Sequence, residues 1–97
     1  MLTRELMLMI SRFLFGDFDA NDFSFEFPAR LNYVYNDFLR ENPELCDVLE
    51  EDMPEICSYF DPHNTGDPGT YDEKTFREKV SAVYQKAIVY ALAAKVS

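Results

Sequence analysis

Apolar residues recur along this chain every three to four positions, the spacing of one helical face, with no run of strand-like alternation. Leu2, Leu6, Met9, Ile10, Phe13 and Leu14 predict a first helix from about Thr3 to Phe15, ended by Gly16. Phe18 to Phe23 then reads as a helix start. Asp19 is the N-cap, Asp22 stands where the helix dipole favours an anion, and Phe18 can staple onto Phe23. The second helix carries Phe23, Phe27, Leu31, Val34, Phe38 and Leu39, and Pro28, which lacks an amide donor, is expected to kink or split it. Asn42-Pro43 opens the third, with Asn as cap and Pro at the first helical position. Leu45, Val48, Leu49, Ile56, Tyr59 and Phe60 mark its core stripe, and Pro54 is expected to break it. Asp61 to Thr70 holds two Pro and two of the three Gly, so it reads as a loop. Asp72 caps the last helix, with Tyr71 stapling onto Phe76, and Phe76, Val80, Val83, Tyr84, Ala87, Ala91 and Leu92 form its core face. The pattern predicts an all-α fold: one small domain over residues 1–97, an antiparallel bundle of four-helix type with Pro-kinked second and third helices.

Composition supports a packed core. The 97 residues are 47% hydrophobic and include nine Phe and six Tyr, ample for one core in one domain. Ala87 to Val96 is apolar but only half the roughly 20 residues that a membrane span needs. The opening MLTRELMLMISRF interrupts its apolar run with charge, unlike a signal peptide, so a cytoplasmic location is expected. Cys46 and Cys57 lie eleven residues apart. On one helix that is roughly 16 Å, beyond disulfide reach, so both are expected to be reduced core residues.

Charge changes the picture more. From Glu41 to Glu73 there is no Lys or Arg, but there are eleven acids, while all nine basic residues lie outside that window. The net charge of −9 therefore comes from one continuous third of the chain. Such a field repels nucleic acid and anionic membrane and speeds encounter with a basic surface. Glu44, Asp47, Glu51 and Glu55, spaced three, four and four, fall opposite the core stripe of the third helix. A plain solvated face is the simplest account of such a row.

Little else suggests chemistry. His63 is the only histidine, in a polar loop without an activated nucleophile beside it, and no phosphate-binding glycine loop is present. The chain is expected to be no enzyme and to need no cofactor. Calcium is the alternative to weigh. Asp61 to Asp67 sets oxygen side chains at alternate positions with Gly66 sixth and Asp72 twelfth, as in an EF-hand loop, but Pro62, His63, Pro68 and the short Asp72 spoil it. The Asp17 to Asp22 run begins similarly and fails at its sixth and twelfth positions, Asp22 and Pro28.

Two sets of short motifs resemble a known family. Phe13-Leu14, Phe18-Asp19-Ala20 and Phe23-Ser24 are similar to the junction between helices one and two of the colicin D immunity protein family, small acidic helical bundles that protect bacteria from their own tRNA-cleaving toxins. Glu51-Asp52, Tyr59-Phe60-Asp61-Pro62 and Tyr71-Asp72 follow the family's order of acidic pair, aromatic-acid-proline, variable loop and aromatic-acid cap. The resemblance covers about Phe13 to Lys86, and immunity proteins of contact-dependent inhibition systems share the scaffold.

The resemblance implies that acids of the third helix and the following loop plug the basic catalytic cleft of a cognate nuclease toxin, probe-like stand-ins for RNA phosphates, in a one-to-one complex without direct nucleic-acid or membrane binding. Glu51, Asp52 and Asp61 match acids of the pattern, and Ser58 and His63 stand where the family carries an acid. Asp47, Glu55 and Asp67 join the expected toxin-binding set by charge alone, with His63 by position. An acidic adaptor or nucleic-acid mimic for another basic protein, and a calcium-responsive helical module, are the other readings.

Overall fold

The computed structural model describes residues 1–61, 63 and 69–96, with side chains as far as residue 92. Five helices form: α1 (Leu2–Phe15), α2 (Ala20–Tyr33), α3 (Tyr35–Glu41), α4 (Pro43–Tyr59) and α5 (Glu73–Val96). Among the described residues the only pairing of strand type is an isolated parallel bridge between Phe60 and Tyr71. No helix is long and apolar enough to cross a membrane, among the described residues.

Short-range capping sets three of the starts. The Asp19 carboxylate accepts from the amides of Asn21 (3.0 Å) and Asp22 (3.2 Å), Asn42 from Leu45 (3.2 Å), and Asp72 from Thr75 (2.8 Å). These satisfy amides that the first helical turn leaves without partners. The Thr75 amide and hydroxyl hold the Asp72 carboxyl below the usual carboxylate range. Asp19 and Asp72, both candidate calcium ligands, are thus committed to helix ends.

Neither proline breaks its helix, although a break is the outcome expected at Pro54 and one of the two expected at Pro28. α2 runs through Pro28 and α4 runs through Pro54, each as one unbroken helix. Proline's fixed φ suits a helix, and its main cost is the missing amide. The carbonyls that lose a donor belong to the half-buried Ser24 and the exposed Glu50, while Phe23, Phe27 and Leu31, and Leu49 and Met53, bury the inner sides and hold each helix together. The interruption falls at Val34, where φ −98° and ψ 8° separate α2 from α3. The bend delivers the end of α3 to two other helices. Glu41 accepts from the Leu2 amide (3.1 Å) and from the Thr3 amide and hydroxyl (both 2.6 Å), and Asn42 donates to the Tyr90 carbonyl (3.5 Å).

Those ties also show the helix directions. Glu5 near the start of α1 pairs with Arg30 near the end of α2 (3.0 Å), and Arg77 at the start of α5 donates to the Phe13 carbonyl at the end of α1 (2.6 Å). Asn42 before α4 meets Tyr90 late in α5, and Tyr59 at the end of α4 meets Tyr71 before α5. Each of these pairs therefore runs antiparallel.

One buried cluster draws on all five helices. Its centre is aromatic: Phe23 stacks on Phe13 (ring centroids 4.4 Å) and Phe27 (5.2 Å) and meets the edge of Phe18 (5.6 Å), as the staple predicts. The second staple is built otherwise. Phe60 stacks on Phe76 (4.4 Å), while Tyr71 meets the edge of Tyr59 (5.7 Å). The buried side of α4 is rotated toward Cys46, Met53 and Cys57, leaving Val48 and Ile56 at its edge and Tyr59 43% exposed. Leu92, expected in the core, is exposed. Both cysteines are free and buried; burial pushes the Cys57 thiol up to about 12, so it stays protonated and inert near neutrality.

Gly16 does end α1, through close approach. Its φ of −120° is open to any residue, but an added Cβ would lie 2.9 Å from the Arg12 carbonyl oxygen, which accepts from the Gly16 and Phe18 amides.

α1 has no side-chain cap of its own, and Glu41 supplies one from 38 residues away. Burial pushes the Glu41 carboxyl up, but hydrogen bonds from the Thr3 hydroxyl and from the Thr3 and Leu2 amides outweigh that and hold it below its ordinary 4.5. A carboxyl depressed on folding contributes stability that is fully present above its ordinary value and is lost as pH falls through the depressed one. Glu41→Gln is therefore expected to lower the melting temperature at pH 7, with a deficit relative to wild type that shrinks as pH falls below the ordinary 4.5 and through the depressed value. Thermal melts across pH 3–7 check this; a deficit that grows in acid would contradict the assignment.

Candidate functional site

The acidic window resolves into carboxylates used by the fold and carboxylates that are not. Glu41 caps α1, Asp72 caps α5, and Glu73 pairs with Arg77 (3.2 Å). Asp52, on the side of α4 that faces α5, pairs with Lys86 (3.0 Å), with side chains 36% and 51% exposed. The hydrogen bond and charge of Asp52, with the charge of Glu51 added, raise the Lys86 pKa. Pairs this exposed contribute little to stability.

Glu44, Asp47, Glu51 and Glu55 remain on the solvent side of α4. At about 100° per residue they fall in one row, opposite the buried Leu45, Cys46, Leu49, Met53 and Cys57. None of the four makes an ion pair or hydrogen bond through its carboxylate among the described residues. Glu50, also exposed, lies between this row and α2. Like charges three and four residues apart repel, by roughly 0.2–0.5 kcal/mol per pair. Glu55 adds a second penalty: it stands near the C-terminal end of α4, where the helix dipole disfavours an anion, and no basic residue offsets it in the last turn. Glu44, in the first turn, is favoured by the same dipole, so the cost falls on the C-terminal part of the row.

The end of the row is shaped by the neck of the loop. The Tyr71 amide donates to the Tyr59 carbonyl (2.8 Å) and the Asp61 amide to the Tyr71 carbonyl (3.0 Å), closing the loop at its base. The Asp61 carboxylate accepts from the His63 amide (2.9 Å), a local turn that leaves the His63 side chain exposed. The half-exposed Tyr59 ring, backed by Tyr71, sits between Glu55 and Asp61 in sequence and supplies an amphipathic surface beside the acids.

The expected binding residues therefore divide. Asp47, Glu51 and Glu55 share one open face; Asp61 and His63 lie just beyond its C-terminal end; Asp52 is turned toward α5 and partly neutralised; Asp67 lies outside the described residues, as do 62, 64–66 and 68 of the same loop. Glu44, noted as part of the row, completes it. The exposure of Tyr59 went unforeseen because its spacing suits a core stripe. Among the described residues no group of three His, Cys, Asp or Glu side chains is arranged to hold a metal ion. Compared with known protein families, curated proteins and solved structures, the chain matches none, so the immunity-protein resemblance rests on its short motifs.

Proposed function

We propose that this chain is a toxin-neutralising immunity protein that covers the active-site cleft of a basic bacterial nuclease, a tRNA-cleaving toxin by the motif resemblance. The observation that carries the reading is the row Glu44, Asp47, Glu51 and Glu55: carboxylates held on one helix that make no ion pair among the described residues, at a cost to the C-terminal part of that helix. A face of this kind is complementary to a cleft built to hold RNA phosphates, where Lys, Arg and His must lie close together. Binding needs no chemistry from this chain. The carboxylates pair with the cleft's cations, and Tyr59 packs beside them, so substrate is excluded by occupancy.

Steering by such a face acts on the association rate. Stopped-flow mixing with the nuclease domain is expected to give a rate constant that falls at least about tenfold from roughly 50 to 500 mM salt, as the Debye length shrinks. A rate that is flat over this range would remove the electrostatic basis of the reading.

A further inference from the structure

A groove of about 330 Å³ separates α2 from α4, beside the acidic row, with Ser24, Phe25 and Pro28 on one wall and Pro54, Ser58 and Phe60 on the other. Its polar groups are mostly acceptors. The Ser24 hydroxyl donates to the Asn21 carbonyl (2.7 Å) and the Ser58 hydroxyl to the Glu55 carbonyl (2.7 Å), so each hydroxyl has spent its hydrogen on its own helix and offers only lone pairs outward. Pro28 and Pro54 bring no amide hydrogen, and each withholds the donor that the Ser24 or Glu50 carbonyl would otherwise receive in a helix. Asn21 contributes a side-chain amide, but no Lys or Arg lines the groove. No acid lines the groove, but exposed acids neighbour its lining residues along both helices: Glu50 one turn and Asp47 two turns before Pro54 on α4, and Asp22 three residues before Phe25 on α2. Phe25, 71% exposed, offers a flat ring on the α2 rim.

We infer that this groove is the seat of an arginine side chain from the basic partner, an inference that rests on the proposed function and assigns it a second contact beyond the acidic row. Arginine fits on three counts. It has donors only, and five of them, for a mostly apolar groove whose few polar groups are chiefly acceptors. Its aliphatic stem can lie on Pro28, Pro54 and Phe60, and its planar head can stack on the Phe25 ring. Its charge answers Glu50, Asp47 and Asp22. Lysine meets the charge requirement but neither the number of donors nor the ring. The contact surface of the protein thereby extends from α4 to α2, and Ser58, short enough to leave the groove open, becomes a residue that sets what enters it.

The test is an amide-shift titration of the isotope-labelled protein with an amidated, alanine-based helical peptide bearing three arginines on one face, and with the same peptide carrying citrulline instead. Shifts at Ser24, Phe25, Ser58 and Phe60 that saturate together, with the citrulline peptide at least about tenfold weaker, are expected. Ser58→Lys, which places a cation in the groove, and Phe25→Ala, which removes the ring, should each weaken the arginine peptide, whereas Glu78→Lys, exposed on α5 and outside the groove lining, should weaken it less. The dispersion of each variant's amide spectrum reports its fold. Equal binding of the two peptides, equal loss in all three variants, or no shifts at all would overturn the groove assignment. Shifts confined to Glu44, Asp47, Glu51 and Glu55 would overturn it too, while leaving the acidic-face reading of the function standing.

Discussion

Reversing Asp47, Glu51 and Glu55 together to Lys is expected to abolish protection by this chain against its nuclease partner and to leave the fold unchanged. All three side chains are exposed, and none makes an ion pair or side-chain hydrogen bond among the described residues, so little native structure depends on them. Surface changes of this kind usually shift stability by less than about 0.5 kcal/mol. Against a basic cleft, each reversal replaces an attraction by a like-charge contact. Loss of one partner from a buried, hydrogen-bonded charge pair costs roughly 2–5 kcal/mol, so three reversals should weaken binding by several orders of magnitude. Asp52→Lys is a poorer test because it also sets two cations together at Lys86, and Asp61→Lys disturbs the turn at the loop neck. Growth of toxin-expressing cells, with circular dichroism on the variant, decides the matter. Full protection by the triple variant would move the binding face elsewhere.

Phe23→Ala should have the largest effect on the fold itself. Its ring is fully buried and contacts Phe13, Phe18, Phe27 and Phe76. Removing a buried Phe side chain costs about 3–5 kcal/mol, the transfer term plus the cavity left behind. A domain of this size has about 5–15 kcal/mol in all, so the variant should melt on the order of 20 °C lower and be partly unfolded if the wild type sits at the low end. Phe25→Ala, two residues along but 71% exposed, should melt within a few degrees of wild type. A small change at Phe23 would mean that the aromatic cluster is not the centre of stability.

What could be read from the sequence divides by range. Asp19, Asn42 and Asp72 were legible as caps because each acts on an amide two or three residues ahead. The Phe18–Phe23 staple is equally local. The caps of α1 were not legible: Glu41 reaches its start from 38 residues away, and Arg77 its last carbonyls from 64 residues away, and no periodicity encodes either. A break at Pro54, and a split at Pro28, did not follow because a missing amide weighs less than the buried aromatic and aliphatic sides that carry both helices past it. The bend came instead at Val34, where α3 must turn to bring Glu41 and Asn42 to α1 and α5.

The candidate site shows the same division. The acidic row was visible because charge and helical spacing are both local properties. That Asp52, expected among the binding acids, instead pairs with Lys86 on α5 depends on the packing of α4 against α5. The exposure of Tyr59 follows from the rotation of α4 toward Cys46, Met53 and Cys57, which its own apolar pattern does not fix. The groove between α2 and α4 needs both helices in place, since its walls lie about thirty residues apart in the chain.

The most direct test is to sequence the genes next to this chain's gene and, with the nuclease domain that the proposed function expects there, to titrate RNA cleavage with increasing amounts of the purified protein. The account predicts that activity falls in a straight line and is extinguished at one equivalent, and that the Asp47, Glu51 and Glu55 triple reversal leaves it untouched. Undiminished cleavage in the presence of excess wild-type protein would contradict it.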